Sequence, residues 1–316
     1  PLGFNNLGNT CYMNSFLQAL LSSNILNTVI AMYIQQDPKC FGKMSPLLQE
    51  YCRLIIDLME PVNKKNDTIY KYQGSAQSYA PTSFKKTLDV QNPWFRGSQQ
   101  HDADEFMLYC VNEFIDPKKN PDLANLIKKM CFGKYRQYIQ CQECQNVVEN
   151  FFDFLNVQLP IPVTKSQSQS QSHSHTELNL VDCFREFAKF ERLDGKNMQK
   201  CSKCNKKVVS YKKMVINHVP DVAIFTLIRY RDQNGRKDMT PIRVFEYIEL
   251  EKKRLKLIAT INHSGGLGGG HYVSNVLRKG TWYNMNDSSV RKLDQSEIER
   301  MTIDPSIYMV IYQTEG

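Results

Sequence analysis

Two Cys-x-x-Cys pairs, Cys141/Cys144 and Cys201/Cys204, constrain this chain more than any other feature. Their four thiolates form the soft ligand set that tetrahedral zinc prefers, so two distant segments must meet at one point. With all four positions filled by protein, the metal is structural and contributes folding energy rather than chemistry. One zinc ion and no catalytic cofactor are expected. The gap from Cys144 to Cys201 is wider than in a compact zinc ribbon, and part of it is the low-complexity stretch Thr164–Glu177 (TKSQSQSQSHSHTE). A redox Cys-x-x-Cys is the weaker alternative, since neither pair follows a βαβ pattern.

The chain has ten cysteines in 316 residues, too sparse for a disulfide scaffold, and this usage points to a reducing compartment, cytoplasmic or nuclear. Cys40, Cys52, Cys110, Cys131 and Cys183 lie in apolar or mixed surroundings and read as small buried hydrophobes. No run approaches eighteen apolar residues, so no membrane span is expected. The start lacks a signal-peptide pattern and begins at Pro1, as a domain excised from a longer protein would. Much of the net charge of +8 falls in Lys196–Lys213 and Lys252–Lys256. Neither stretch interleaves aromatics, so both read as solvated faces and no nucleic-acid partner is expected.

The first third is helical in pattern. Met13, Leu17 and Leu21, with Phe16 and Leu20, form an apolar stripe over Thr10–Ser22, and Thr10 is placed to cap it. Similar periodicity marks Pro46–Met59 and Asp102–Phe114. After about Lys134 the runs become β-branched and aromatic: Val147–Val157, Val208–Asn217, Val222–Tyr230, Leu255–Ile261, His271–Val276 and Ser306–Tyr312. Val222–Tyr230 is almost wholly apolar, the mark of a central strand covered on both faces. Helices followed by strands predict an α+β fold. Thr164–Glu177 cannot bury apolar surface and reads as a disordered insertion, with His173 and His175 merely solvated.

Three segments carry chemistry. In GFNNLGNTCYMNS, Cys11 sits at the first turn of the predicted helix, where the dipole and free N–H groups favour a thiolate. The Gly/Asn-rich lead-in supplies donors of the kind an oxyanion hole needs. In HSGGLGGGHYV, five glycines between His263 and His271 predict a flexible loop, with a strand starting at His271 to hold a base. In WYNMNDSSV, an Asn or Asp is positioned to orient that imidazole, although Asn-Asp-Ser-Ser is also ordinary turn chemistry.

Together these segments resemble the ubiquitin-specific proteases, from Gly3 to about Tyr312. GFNNLGNTCYMNSFLQALL looks like the family's Cys box, GGHYVSNV with WYNMNDSSV its His box, and GSQQHDADEF (Gly97–Phe106) its acidic motif. FDFLNVQLPIP, VPDVAIFTLIRY and SIYMVIYQ resemble its β segments. The resemblance implies a papain-like cysteine protease fold with helical thumb, β-rich palm and zinc-bearing fingers. The thumb would span about 1–125, the fingers about 126–150 and 190–215, and the palm about 151–163 and 216–316, all in one catalytic domain.

By position it implies Cys11 as nucleophile, His271 as general base, Asn286 as the third triad residue and Asp287 as its acidic neighbour. Asn6 matches the oxyanion donor. Asp102 and Glu105, with Gly269, Gly270 and Tyr272, match the positions that receive ubiquitin's C-terminal tail. The expected activity is hydrolysis after the last glycine of ubiquitin by a monomeric domain. The rival readings are a silent ubiquitin-binding module, a related modifier as substrate, and a basic zinc-containing nucleic-acid binder.

Overall fold

The computed structural model describes residues 1–58, 78–163, 177–230, 236–266 and 269–315. The expected insertion, with His173 and His175, lies outside them except for Glu177. No single described helix is long and apolar enough to cross a membrane.

Six α-helices dominate the first 131 residues, α1 (Cys11–Leu20), α2 (Asn24–Gln36), α3 (Pro46–Leu58), α4 (Thr82–Gln91), α5 (Ala103–Phe114) and α6 (Pro121–Cys131), with a short parallel pair of strands, Gly3–Phe4 and Ser78–Tyr79, among them. Two more, α7 (Leu180–Phe187) and α8 (Gln295–Met301), are set among the strands. The apolar stripe read from the sequence makes α1 a core helix, and all ten of its residues are buried. Burying Phe16 and Leu17 completely contributes about 2 kcal/mol each. Thr10 precedes α1 but makes no side-chain cap bond; its Oγ1 accepts the Leu7 N–H instead, at 2.9 Å. Helix α5 is capped by Asp102, which accepts from Asp104 and Glu105 N–H. Asn120 likewise caps α6, with Pro121 in its first turn.

The large sheet runs in the order 289–292, 281–286, 269–278, 253–266, 307–314, 222–228, 156–160, with 247–250 paired beside 253–256. Val222–Ile228 is central as expected, antiparallel to 307–314 and parallel to 156–160. One buried cluster joins α1, α2, α3 and α5 to one face of this sheet. A second cluster lies behind it, against α7.

A four-stranded sheet of 147–154, 133–141, 210–218 and 191–193 projects the two cysteine pairs at one end. The sequence suggested one strand over Val147–Val157, but there are two, Val147–Phe154 and Asn156–Pro160, in different sheets. Consecutive Phe154 and Leu155 are both buried, which a flat strand with alternating faces does not allow, so the chain bends between them.

The strand expected to begin at His271 begins at Gly269 and pairs with Lys253–Gly266 as a hairpin, Ser264 opposite His271. The glycines therefore belong largely to strand ends. At the far end of strand 269–278, half-buried Arg278 donates to the Gln18 carbonyl at 2.6 Å and to the Ser22 hydroxyl. This fixes α1 against the strand that carries His271.

Candidate active site

Cys11 is the first residue of α1 and is 4 % exposed. Burial pushes its thiol up, and the Asp287 carboxylate adds to that, while the backbone N–H groups of Tyr272, Tyr12 and Cys11 pull it down. The sequence suggested a depressed thiol at the helix start, but desolvation outweighs the donors. A thiolate here needs a cation beside it. His271 lies on strand Gly269–Arg278, and Tyr272, the next residue along, lines the same cleft as Cys11.

His271 Nε2 donates to Asn286 Oδ1 at 2.7 Å, leaving Nδ1 as the ring nitrogen to face the thiol. Asn286 ends the strand Thr281–Asn286, and Asp287 occupies the following turn with φ of 50°. That turn sends the Asp287 carboxylate away from the imidazole. Its oxygens accept from Asn6 Nδ2 at 2.9 Å and Asn14 Nδ2 at 2.8 Å, and its carbonyl accepts the Phe4 N–H at 2.8 Å. Thus Asn286 orients the ring and Asp287 anchors the loop before Cys11.

That loop is built for close approach. Asn6 Oδ1 accepts the Gly8 and Thr10 N–H groups at 3.0 and 3.1 Å, while one N–H of its amide remains for a ligand. Gly8 (φ 106°) and Asn9 (φ 52°) then turn through left-handed conformations into the helix.

A cleft of about 250 Å³ opens from Cys11, with Glu105, Gly269, Gly270 and Tyr272 among its walls. Glu105 presents an exposed carboxylate. Asp102 differs from its neighbour: besides capping α5, it accepts the Tyr272 hydroxyl at 2.9 Å and the Tyr308 hydroxyl at 3.0 Å. Its oxygens are already engaged within the fold. The hairpin must be glycine at this point, because a β-carbon on Gly270 would collide with the His263 ring and one on Gly269 with Gln100.

Three residues in this wall or bonded to it carried no role in the sequence reading. Gln100 accepts the Gly270 N–H at 2.8 Å and ties the acidic motif to the hairpin. Tyr308 completes the Asp102 network. His263 packs on Tyr272 with ring centres 4.4 Å apart. Burial, reinforced by the Lys237 cation, pulls His263 down to about 4, so it is neutral. Lys237 donates to its Nδ1 at 3.3 Å, which places the ring proton on Nε2. The sequence signal for Gln100 and His263 was their place inside motifs already singled out. Tyr308 had none beyond its strand.

Far from the cleft, the four cysteine Sγ atoms lie within 4.8 Å of one another. Cys141 and Cys204 are 3.8 Å apart, and Cys144 and Cys201 are 3.7 Å apart. A tetrahedron with metal–sulfur bonds of about 2.3 Å has edges of about 3.8 Å, so the cluster can hold one metal ion.

The family model described as ubiquitin carboxyl-terminal hydrolase matches residues 2–312. The chain belongs to the ubiquitin carboxyl-terminal hydrolase family. Similar family members include ubiquitin carboxyl-terminal hydrolase 2 of Homo sapiens, 26% identical over 355 residues, covering 98% of this chain and 54% of that protein. Ubiquitin carboxyl-terminal hydrolase 5 of Saccharomyces cerevisiae is 25% identical over 382 residues, covering 99% and 44%. The chain thus spans about half the length of such relatives. Among solved structures, the SAGA Ubp8 DUB module bound to ubiquitin aldehyde superposes with a TM-score of 0.76 at 22% identity, covering 100% of this chain and 70% of that one. The same module bound to monoubiquitin gives 0.77. The α+β fold expected of the family is the one observed.

Proposed function

We propose that this chain is a deubiquitinating cysteine protease that cleaves the isopeptide or peptide bond after the C-terminal glycine of ubiquitin. The observation that carries the reading is the 2.7 Å bond to Asn286 from Nε2 of His271, which lies on the strand against which α1, with Cys11 as its first residue, is held. A buried thiol lines the cleft, and the strand that contributes Gly269, Gly270 and Tyr272 to the cleft carries a base bonded to a group that orients it. The family and the ubiquitin-bound structural relatives support the choice of substrate.

In this reading the tail of ubiquitin enters along Glu105 and Tyr272, and the closeness of the Gly269–Gly270 hairpin favours terminal glycines. The Cys11 thiolate attacks the last glycine carbonyl. Asn6 and backbone N–H groups at the start of α1 stabilise the oxyanion. His271 donates its proton to the departing lysine amine and the thioester forms. The same imidazole then takes a proton from water, which displaces the thiol and frees the tail. Asp287 acts by positioning Asn6. Helices α1–α6 form the thumb, the four-stranded sheet the fingers and the large sheet the palm, and zinc is the metal at the fingertip. The ten free thiols are consistent with a cytoplasmic or nuclear home, and secretion of tagged protein into the medium would refute that.

The test is release of a fluorophore from the C-terminus of ubiquitin, with Cys11→Ala as control. Turnover that vanishes in the variant is expected. A folded, zinc-loaded parent that releases nothing would overturn the assignment.

A further inference from the structure

The positive charge of this chain is concentrated at one place. Residues 191–213 contain eight lysines and arginines against two acids, a net +6 of the chain's +8. The other basic stretch, Lys252–Lys256, is neutralised where it stands: Lys253 pairs with Asp221, Arg254 with Glu315 and Lys256 with Glu246, at 2.9, 3.2 and 3.7 Å. The fingertip is not neutralised in the same way. Lys206 meets Glu143, Lys212 meets Glu191 and Arg192 meets Asp194. Among the described residues, Lys196, Lys200, Lys203 and Lys207 have no carboxylate within ion-pair distance, and all four are exposed.

The arrangement of these cations is unfavourable to the fold. Strands Gln199–Lys200 and Lys207–Val208 form the hairpin that carries the second cysteine pair, and their register sets Lys200 directly opposite Lys207. Like charges facing each other across an antiparallel pair repel, and the neighbouring Lys203 lies on the same short knuckle. A tetrathiolate site with one divalent ion carries a formal charge of about −2 and offsets part of this excess, not the whole. Beside the hairpin, a cavity of about 290 Å³ is lined by Lys200 and the polar side chains of Gln199, Ser202, Asn146, Asn150 and Ser210, together with Ile139, Val148 and two of the cysteines, Cys141 and Cys201. Paired cations held against their own repulsion, next to hydrogen-bonding groups, are relieved by an anion that bridges them.

In place of the solvated face expected from the sequence, we propose that this fingertip is a docking site for a nucleic-acid duplex, held through its phosphate backbone and without base readout. Duplex phosphate is favoured over an acidic polypeptide by the geometry. Regularly spaced fixed charges can engage several lysines on a protruding hairpin at once, and lysine suits phosphate as a point charge. The hairpin residues 199–208 offer no aromatic ring and no arginine for stacking or bidentate base contacts, so binding is indifferent to sequence. The site is remote from the Cys11 cleft and stands whether or not the chain hydrolyses ubiquitin conjugates.

The experiment uses the zinc-loaded chain and a fluorescein-labelled mixed-sequence DNA duplex of about twenty base pairs, read by anisotropy over a salt series. Binding should weaken with salt, with a log–log slope of about −2 to −4, each phosphate contact contributing roughly −0.9. Combined Lys200→Gln, Lys203→Gln and Lys207→Gln substitution should weaken binding at least about tenfold and flatten that slope. Zinc content and the kcat of ubiquitin–fluorophore hydrolysis should be retained by this variant, which distinguishes lost docking from lost folding. No binding at low salt, or equal binding by the triple variant, overturns the proposal. A polyglutamate peptide that competes better than unlabelled duplex also overturns it, in favour of an acidic protein partner.

Discussion

Asn6 and Asp287 lie 281 positions apart in sequence and meet through a 2.9 Å bond from amide to carboxylate. The same carboxylate takes a second amide, from Asn14, on the buried side of α1. Asp287 therefore clamps both ends of the segment that delivers Cys11, while Asn286 alone holds the imidazole. The two adjacent residues have separate duties, set by a single turn of the backbone.

That division predicts a pattern in kinetics. Removing an oxyanion donor costs about 10²–10³ in kcat, so Asn6→Ala should fall in that range on a ubiquitin–fluorophore substrate. Asp287→Ala should lower kcat through the same group, and the double variant should lose far less than the product of the two losses. Fully multiplicative losses would mean that Asp287 acts independently of Asn6.

The thiol makes a prediction with a definite sign. Burial and the Asp287 charge both disfavour the thiolate, so in the proposed mechanism the thiol depends on His271 to take its proton. In His271→Ala, alkylation of Cys11 by iodoacetamide should therefore need a higher pH than in the parent. Adding Asp287→Asn to that background removes a nearby negative charge, so the midpoint of the alkylation profile should move down in pH. A midpoint that stays or rises would remove Asp287 from the electrostatics of the thiol.

The cysteine cluster predicts one ion per chain. Chelation should release a single zinc, measured with a chromophoric chelator, and should lower the unfolding midpoint because metal binding is folding energy here. Cys144→Ser should do the same. Since the cluster lies at the far end of the four-stranded sheet, activity should change mainly in KM. A collapse of kcat at unchanged KM would contradict a purely structural metal.

Local pattern carried much of this molecule. The stripe of Met13, Phe16, Leu17 and Leu20 is a core helix, and the apolar run from Val222 is a central strand. The four cysteines converge because a metal site leaves little choice of partners. Helices α2, α4, α6, α7 and α8 went unnamed; in α4 apolar residues are few among lysines and polar groups, whereas α2 and α6 carry apolar faces that the reading passed over. The choice among Asn284, Asn286 and Asp287 was not fixed by spacing. It depends on where the strand stops, since Asn286 keeps the strand's alternation while Asp287, one step on, has entered the turn. Contacts such as Asn14 to Asp287, 273 positions apart, have no periodic signal and arise only when α1 packs on the sheet.

The last prediction separates two carboxylates that the motif treats alike. Asp102 caps α5 and accepts the hydroxyls of Tyr272 and Tyr308. Asp102→Ala removes a cap worth about 1 kcal/mol and leaves two half-buried hydroxyls without their acceptor, at about 1–3 kcal/mol for each one left unsatisfied. It should lower stability by about 3–7 kcal/mol in urea unfolding and disturb the cleft wall formed by Tyr272. Glu105 is exposed on the same helix, makes no comparable network among the described residues, and faces the cleft. Glu105→Ala should change stability by less than about 0.5 kcal/mol. Losing a charge-assisted contact with the incoming tail should instead raise KM by about 5–30-fold, equivalent to 1–2 kcal/mol. If Asp102→Ala proves stable and weakens only binding, the roles are reversed and Asp102 meets the substrate directly.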